Sequence, residues 1–316
     1  MIYIRRFFTG IVFIAGLICL LLIASSVFEP KNNMENFGME EVTANGILGE
    51  KDNSIDVLVL GDSEAYSSII PLQLWQDTGY TMYVCGSSAQ TLGYTDTLLK
   101  RCFNNQSPKI VILETNAIYR KQSALNIFAS RICEKFSIFK YHNRWKSLSF
   151  NDFYKEVEYT WTDENKGYRL SKTIAAASDT DYMNLTDKEA VIPSANLFCI
   201  QTMKDFCDAN GAKLVFVSTP STKNWNMERH NGIAALALKL GCEYIDLNLM
   251  NDEISIDWST DTRDKGDHLN YFGAKKVTAY LSEYLMKTEL LTDKTHLPEY
   301  KSWNEALERF KKAEKN

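Results

Sequence analysis

Val57-Leu-Val-Leu-Gly-Asp-Ser-Glu64 is the stretch on which the fold turns. A short apolar run starting at Ile55 and closed by Gly61 reads as a buried strand entering a turn. Two roles are open to the polar residues that follow. Asp62 and Ser63 suit a helix cap, because their side-chain oxygens accept from free backbone N–H groups. A serine at a strand end also suits a nucleophile, provided that a base is near.

Outward from this stretch, strand and helix patterns alternate. Met82 to Cys85, Lys109 to Glu114, Lys213 to Ser218 and Tyr244 to Leu247 read as further strands. Helical spacing covers about Ile70 to Trp75, Thr91 to Cys102, Ala195 to Ala209, Met227 to Leu240 and Gly273 to Lys287. Gly241 supplies a C-terminal stop for the fourth of these. The alternation predicts an α/β fold: a three-layer α/β/α domain around a mostly parallel, about five-stranded sheet. The domain spans 55–290, with a helical insertion at about 120–190 where the alternation breaks, and 291–316 form a C-terminal helical tail.

The N-terminus carries the location. Phe7 to Phe28 contain no charged side chain. A helix of that length, rising about 1.5 Å per residue, crosses the roughly 30 Å apolar core of a bilayer. Arg5 and Arg6 precede it, which puts everything after Glu29 on the extracytoplasmic side. Residues 1–28 therefore read as a cytoplasmic tip and single-pass anchor in the cell membrane, and the polar residues 29–54 as a stalk. Ala24-Ser25-Ser26 offers a signal-peptidase cut as the rival reading, and the length of the run favours a retained anchor.

A net charge of -5 and the lack of a basic run argue against nucleic acid as a partner. The seven cysteines form no C-x-x-C pair, so neither a zinc site nor a dithiol motif is signalled, and no metal or cofactor is expected. Buried free thiols are the favoured reading, with one disulfide left open for an exported domain.

In a parallel sheet, sites form at the carboxyl ends of strands. Those ends carry Gly61-Asp-Ser63, Gly86-Ser-Ser88 and Glu114-Thr-Asn116, and the loop before the last helix holds Asp264, Asp267 and His268. Serine needs a base, histidine is suited to that task, an acid orients the histidine, and amide donors stabilise an oxyanion.

In this ordered set the sequence resembles the SGNH, or GDSL-like, hydrolase superfamily, whose fold is flavodoxin-like. The resemblance covers roughly 55–118 and 195–288. It implies Ser63 as nucleophile, His268 as base, and the Ser63 and Gly86 amides with the Asn116 side chain as oxyanion donors. Two positions depart from the family pattern. Glu114 stands where glycine is usual, and Lys265 stands where the acid three residues before the histidine is usual. Asp264 is the first choice as orienting acid, Asp267 the second, and a dyad with a backbone carbonyl the third.

The anchor, Gly86-Ser-Ser-Ala-Gln-Thr91 and Asp267-His-Leu-Asn270 are further similar to alginate O-acetyltransferases and to the D-alanyl transfer protein of the teichoic acid pathway. That similarity implies acyl transfer, most simply of acetyl, onto or off an extracellular polysaccharide, with a membrane-bound O-acyltransferase as partner. A general carboxylesterase or lipase, and an inactive envelope scaffold or carbohydrate-binding module, are the alternatives.

Overall fold

Residues 2 to 315 are described by a computed structural model of the chain. Five strands, β1 (Val57–Gly61), β2 (Met82–Gly86), β3 (Ile110–Glu114), β4 (Lys213–Ser218) and β5 (Glu243–Asp246), form one sheet in the order β2-β1-β3-β4-β5. Every neighbouring pair is parallel. The order reverses direction between β1 and β3, which is the crevice where doubly wound sheets bind ligands. The expected α/β/α architecture is the observed one.

Alternate side chains of each strand enter opposite cores, as period-2 geometry requires. Leu58, Leu60, Val111, Leu113, Leu214 and Phe216 belong to one core. Val57, Val59, Ile110, Ile112, Val215 and Val217 belong to the other. The α-helices of five or more residues are α1 (Ile2–Phe28), α2 (Ser63–Ser68), α3 (Pro71–Thr78), α4 (Leu92–Cys102), α5 (Ala124–Lys135), α6 (Ser137–Tyr141), α7 (Ser194–Ala209), α8 (Met227–Leu240), α9 (Tyr271–Lys287) and α10 (Lys301–Ala313). Helices α4 and α7 cover the first core and α9 covers the second, while α3 gives Leu72 and Trp75 to the first and Leu74 to the second. Caps fix their starts: Thr91 Oγ1 accepts from Tyr94 N, and Asn270 Oδ1 from Phe272 N at 3.0 Å. The tail helix α10 docks by burying Trp303 and Phe310, with Trp303 packed on Trp75 at 5.6 Å between ring centroids.

Two regions differ from the sequence reading. Residues 29–54, read as a stalk, are folded onto the domain. Asn33 is buried and trades hydrogen bonds with Trp161, donating to its carbonyl (2.6 Å) and accepting from its amide (3.0 Å), while Ile47 lies in the core. In the insertion, helical turns run from Ala124 to Phe153, and 154–193 contain no regular element. That segment is held by the bonds it makes elsewhere: Lys166 O accepts from Val84 N on edge strand β2, and Arg169 N donates to Tyr66 O, both at 2.9 Å. The insertion thereby covers an open sheet edge and runs past the helix that starts at Ser63.

Helix α1 is exposed over most of its length and, with a mean hydropathy of 2.8, is long and apolar enough to cross a membrane. All seven cysteines are free thiols, and Cys85 and Cys102 face one another with their sulfurs 3.9 Å apart.

Candidate active site

At the carboxyl end of β1 the chain turns at Asp62, whose Oδ1 accepts from Glu64 N at 3.0 Å and caps α2. Ser63 is the first residue of that helix and is half-buried. Its carbonyl accepts from Ser67 Oγ, while its own Oγ has no hydrogen-bond partner among the described residues. The capping role and the nucleophile role read from the sequence are thus divided between two neighbours: Asp62 caps, and Ser63 presents its hydroxyl.

Gly86 ends β2 directly beside this turn, paired in register with Gly61. A Cβ there would stand 3.1 Å from Asp62 O and 3.4 Å from Tyr66 Cδ1, a tight fit that glycine avoids. Asn116, beyond β3, donates from Nδ2 to Asp62 Oδ2 at 3.0 Å. Arg120 shares that oxygen at 2.9 Å, and Arg229 Nη1 donates to Asn116 Oδ1 at 3.2 Å. One amide hydrogen of Asn116 is engaged by Asp62, leaving the second to donate elsewhere.

The base loop precedes α9. Thr262 and Leu269 form an antiparallel bridge that closes it, and Lys265 and Gly266 turn it with φ of 64° and 90°. These two left-handed residues swing Asp264 back over His268. Asp264 Oδ1 accepts from His268 N at 2.6 Å, and Oδ2 pairs with Nδ1 at 2.7 Å. Asp267 Oδ2 is 3.7 Å from Nδ1, beyond hydrogen-bond range. Of the three readings of the orienting group, the geometry fits Asp264. His268 Nε2 is buried and has no partner among the described residues.

The loop and the nucleophile turn are joined by Asn224, which follows β4. Its Nδ2 donates to Glu64 Oε1 at 2.7 Å and also to Asp267 Oδ1. Glu64 is an acid in the first turn of α2 and is buried there. Burial, then the charges of Glu114 and Asp62, push its carboxyl well above the ordinary range, against the pull of the Asn224 hydrogen bond. Glu114 is raised in the same way by burial and by Asp62, and it accepts from Asn116 N at 3.2 and 3.1 Å. Glu64, Asp267 and His268 offer donor atoms within 4.8 Å of one another. Asn224 Nδ2 already donates to both acids of this trio.

Arg120, Arg229 and Asn224 were not singled out by the sequence. Asn224 lies in the loop after β4, so the strand-end rule carried to that strand was the available signal. The other histidines play no part here; His230 pairs with Asp246 at 2.8 Å beneath Tyr244.

No family model and no curated protein matches the chain. Among solved structures, its path is similar to that of a GDSL-like lipase from Bacteroides thetaiotaomicron, at 13% identity over 73% of this chain and 88% of that one, with a TM-score of 0.37. It is similar to the psychrotrophic esterase EstA from Pseudoalteromonas sp., at 9% identity over 74% and 97%, with a TM-score of 0.39. It is also similar to the acetyl xylan esterase AlAXEase, at 14% identity over 74% and 100%, with a TM-score of 0.36. At such identities and scores, activity has to be argued from the geometry of the site.

Proposed function

We propose that the protein is a serine-dependent acyltransferase or esterase of the SGNH kind, anchored in the cell membrane by α1 and acting outside it on cell-envelope polysaccharide. The observation that carries this reading is the Asp264–His268 pair, which leaves Nε2 unpartnered in a loop tied by Asn224 to the nucleophile turn.

In the first half-reaction His268 Nε2 takes the Ser63 proton as Oγ bonds to the acyl carbon. Asp264 holds the imidazolium that forms. Negative charge on the carbonyl oxygen meets the N–H groups of Ser63 and Gly86 and the second Asn116 amide hydrogen. The ester C–O bond then breaks, and His268 returns its proton to the departing alcohol. In the second half a sugar hydroxyl, or water, gives its proton to His268 and attacks the acyl-Ser63 carbonyl. Ser63 leaves with that proton. A neighbouring multi-span O-acyltransferase would supply the acyl donor on the far side of the bilayer.

The test uses full-length protein in detergent, wild type and Ser63→Ala, with a chromogenic acetyl ester and oligosaccharide acceptors. Ser63-dependent release of the chromophore with acetyl appearing on sugar supports transfer. Release without sugar acetylation supports an esterase. Neither turnover nor labelling of Ser63 by a serine-directed phosphonate would leave a scaffold or binding module.

A further inference from the structure

The insertion is bound to the end of α1. Ser25, in the last turns of that helix, is buried, and its Oγ accepts from Ile138 N in α6 at 3.5 Å. Arg144 Nη1 donates to Phe28 O at 2.7 Å, placing a cation on the free carbonyls at the helix C-terminus. Arg144 Nη2 pairs with Asp152 at 2.7 Å, and both side chains are buried. The segment from α6 to Phe153 is thus packed alongside the final turns of the apolar helix.

The same segment leaves large aromatic side chains in the open: Phe139, Trp145, Phe150, Phe153 and Tyr154, with Phe150 82% and Trp145 64% exposed. Lys146 sits over the Trp145 ring at 5.8 Å. Between 135 and 155 the one acid is Asp152, already paired with Arg144, and Lys135, Lys146 and Lys155 stand exposed, with the exposed Glu156 and Glu158 following directly. Exposed aromatics interleaved with lysine, fixed at the mouth of a membrane-crossing helix, match the chemistry of a bilayer interface. Amphipathic rings settle at headgroup depth, and lysines meet anionic headgroups.

We propose that residues 137–154 form an aromatic collar seated in the headgroup layer of the bilayer that α1 crosses, holding the domain against an anionic membrane surface. This rests on reading α1 as a membrane anchor. The continuity of the collar with α1 is what selects lipid over a soluble protein as its occupant.

The test uses the full chain in nanodiscs of phosphatidylcholine and phosphatidylglycerol, with lipids brominated near the headgroup end of the acyl chains. The chain has six tryptophans, so the Trp145 signal is taken as the difference between wild type and Trp145→Phe. The expected result is at least twofold quenching of the Trp145 component by bromolipid, with little quenching by aqueous acrylamide. Quenching by acrylamide alone would mean a face open to water, and quenching by neither would mean a protein partner. Each of those overturns the collar while leaving the anchor intact. Full chain that elutes free of the nanodiscs would refute the anchor itself, and the collar with it.

Discussion

Replacing Asp264 with asparagine isolates the orientation of the proposed base. Asp264 uses one oxygen on His268 N and the other on Nδ1, at 2.6 and 2.7 Å. Asparagine keeps one acceptor and puts an NH2 group where the second was, so it cannot satisfy both donors. The ring then gains by carrying its proton on Nε2, the wrong tautomer for accepting the Ser63 proton. In a serine triad this change costs about 10⁴ in kcat, or roughly 5.4 kcal/mol at about 1.36 kcal/mol per decade. The Asp264 side chain is 37% exposed, so water screens part of its attraction for the imidazolium. The expected loss in kcat/KM is therefore about 10² to 10³, roughly 2.7–4.1 kcal/mol. Asp267→Asn disturbs only the bond from Asn224 and should cost about 1 kcal/mol, roughly fivefold. The assay is acetyl-ester hydrolysis by the two full-length variants across a range of pH. An Asp264→Asn enzyme close to wild type, beside an Asp267→Asn enzyme down a hundredfold, would refute the reasoning.

Glu64→Gln tests the buried acid. Because its folded pKa lies above the ordinary 4.5, the folded chain keeps a proton that the unfolded chain releases, so stability is full below 4.5 and falls as pH rises. Glutamine cannot ionise, and the variant's Tm relative to wild type should rise as pH climbs above 4.5; a constant difference in thermal melts would count against it. Gly86→Ala puts a methyl 3.1 Å from Asp62 O, costs about 1–3 kcal/mol of packing and should lower kcat more than it raises KM. Glu50→Gln strips the partner from Lys166, a pair at 2.7 Å with both side chains buried. It should destabilise by about 3–5 kcal/mol, a Tm drop of roughly 10 °C by circular dichroism, whereas Glu50→Leu with Lys166→Met should cost less.

The strands were legible because each is a short apolar run punctuated by glycine, proline or a polar turn, and a parallel sheet buries such runs on both faces. The base loop was legible in residue type, and its geometry hung on Lys265 and Gly266, whose left-handed turn makes an acid four residues away reach Nδ1. Helix α2 was not legible as an element because Ser-Glu-Ala-Tyr-Ser-Ser has no apolar stripe; only Ala65 and Tyr66 of it enter the second core. Residues 29–54 looked like a stalk because composition cannot tell an asparagine in water from one such as Asn33, whose amide is satisfied inside the fold. The long segment 154–193 has no periodicity to read, since its backbone groups bond to strands and loops distant in sequence.

Glu114 is the departure with the largest consequence for the chemistry. A carboxyl at this strand end is tolerated because Gly61 is bare: a Cβ there would lie 2.7 Å from Glu114 Cβ. Packed against the turn at Gly61, it accepts from Asn116 N and so fixes the backbone of the residue proposed as an oxyanion donor. Four acids, Asp62, Glu64, Glu114 and Asp267, then crowd one crevice, and full ionisation would repel the anion that acyl transfer creates. The structure avoids this in two ways. Burial pushes the carboxyls of Glu64 and Glu114 well above the ordinary range, and Arg120 pairs with Asp62 while Arg229 holds Asn116 and the Asn224 carbonyl. The remaining charge near Ser63 is balanced by cations on the Asn116 side, while Asp264 stays across the ring from Nε2. In the proposed acyl transfer, this is what lets a crevice crowded with acids accept a developing oxyanion beside Ser63.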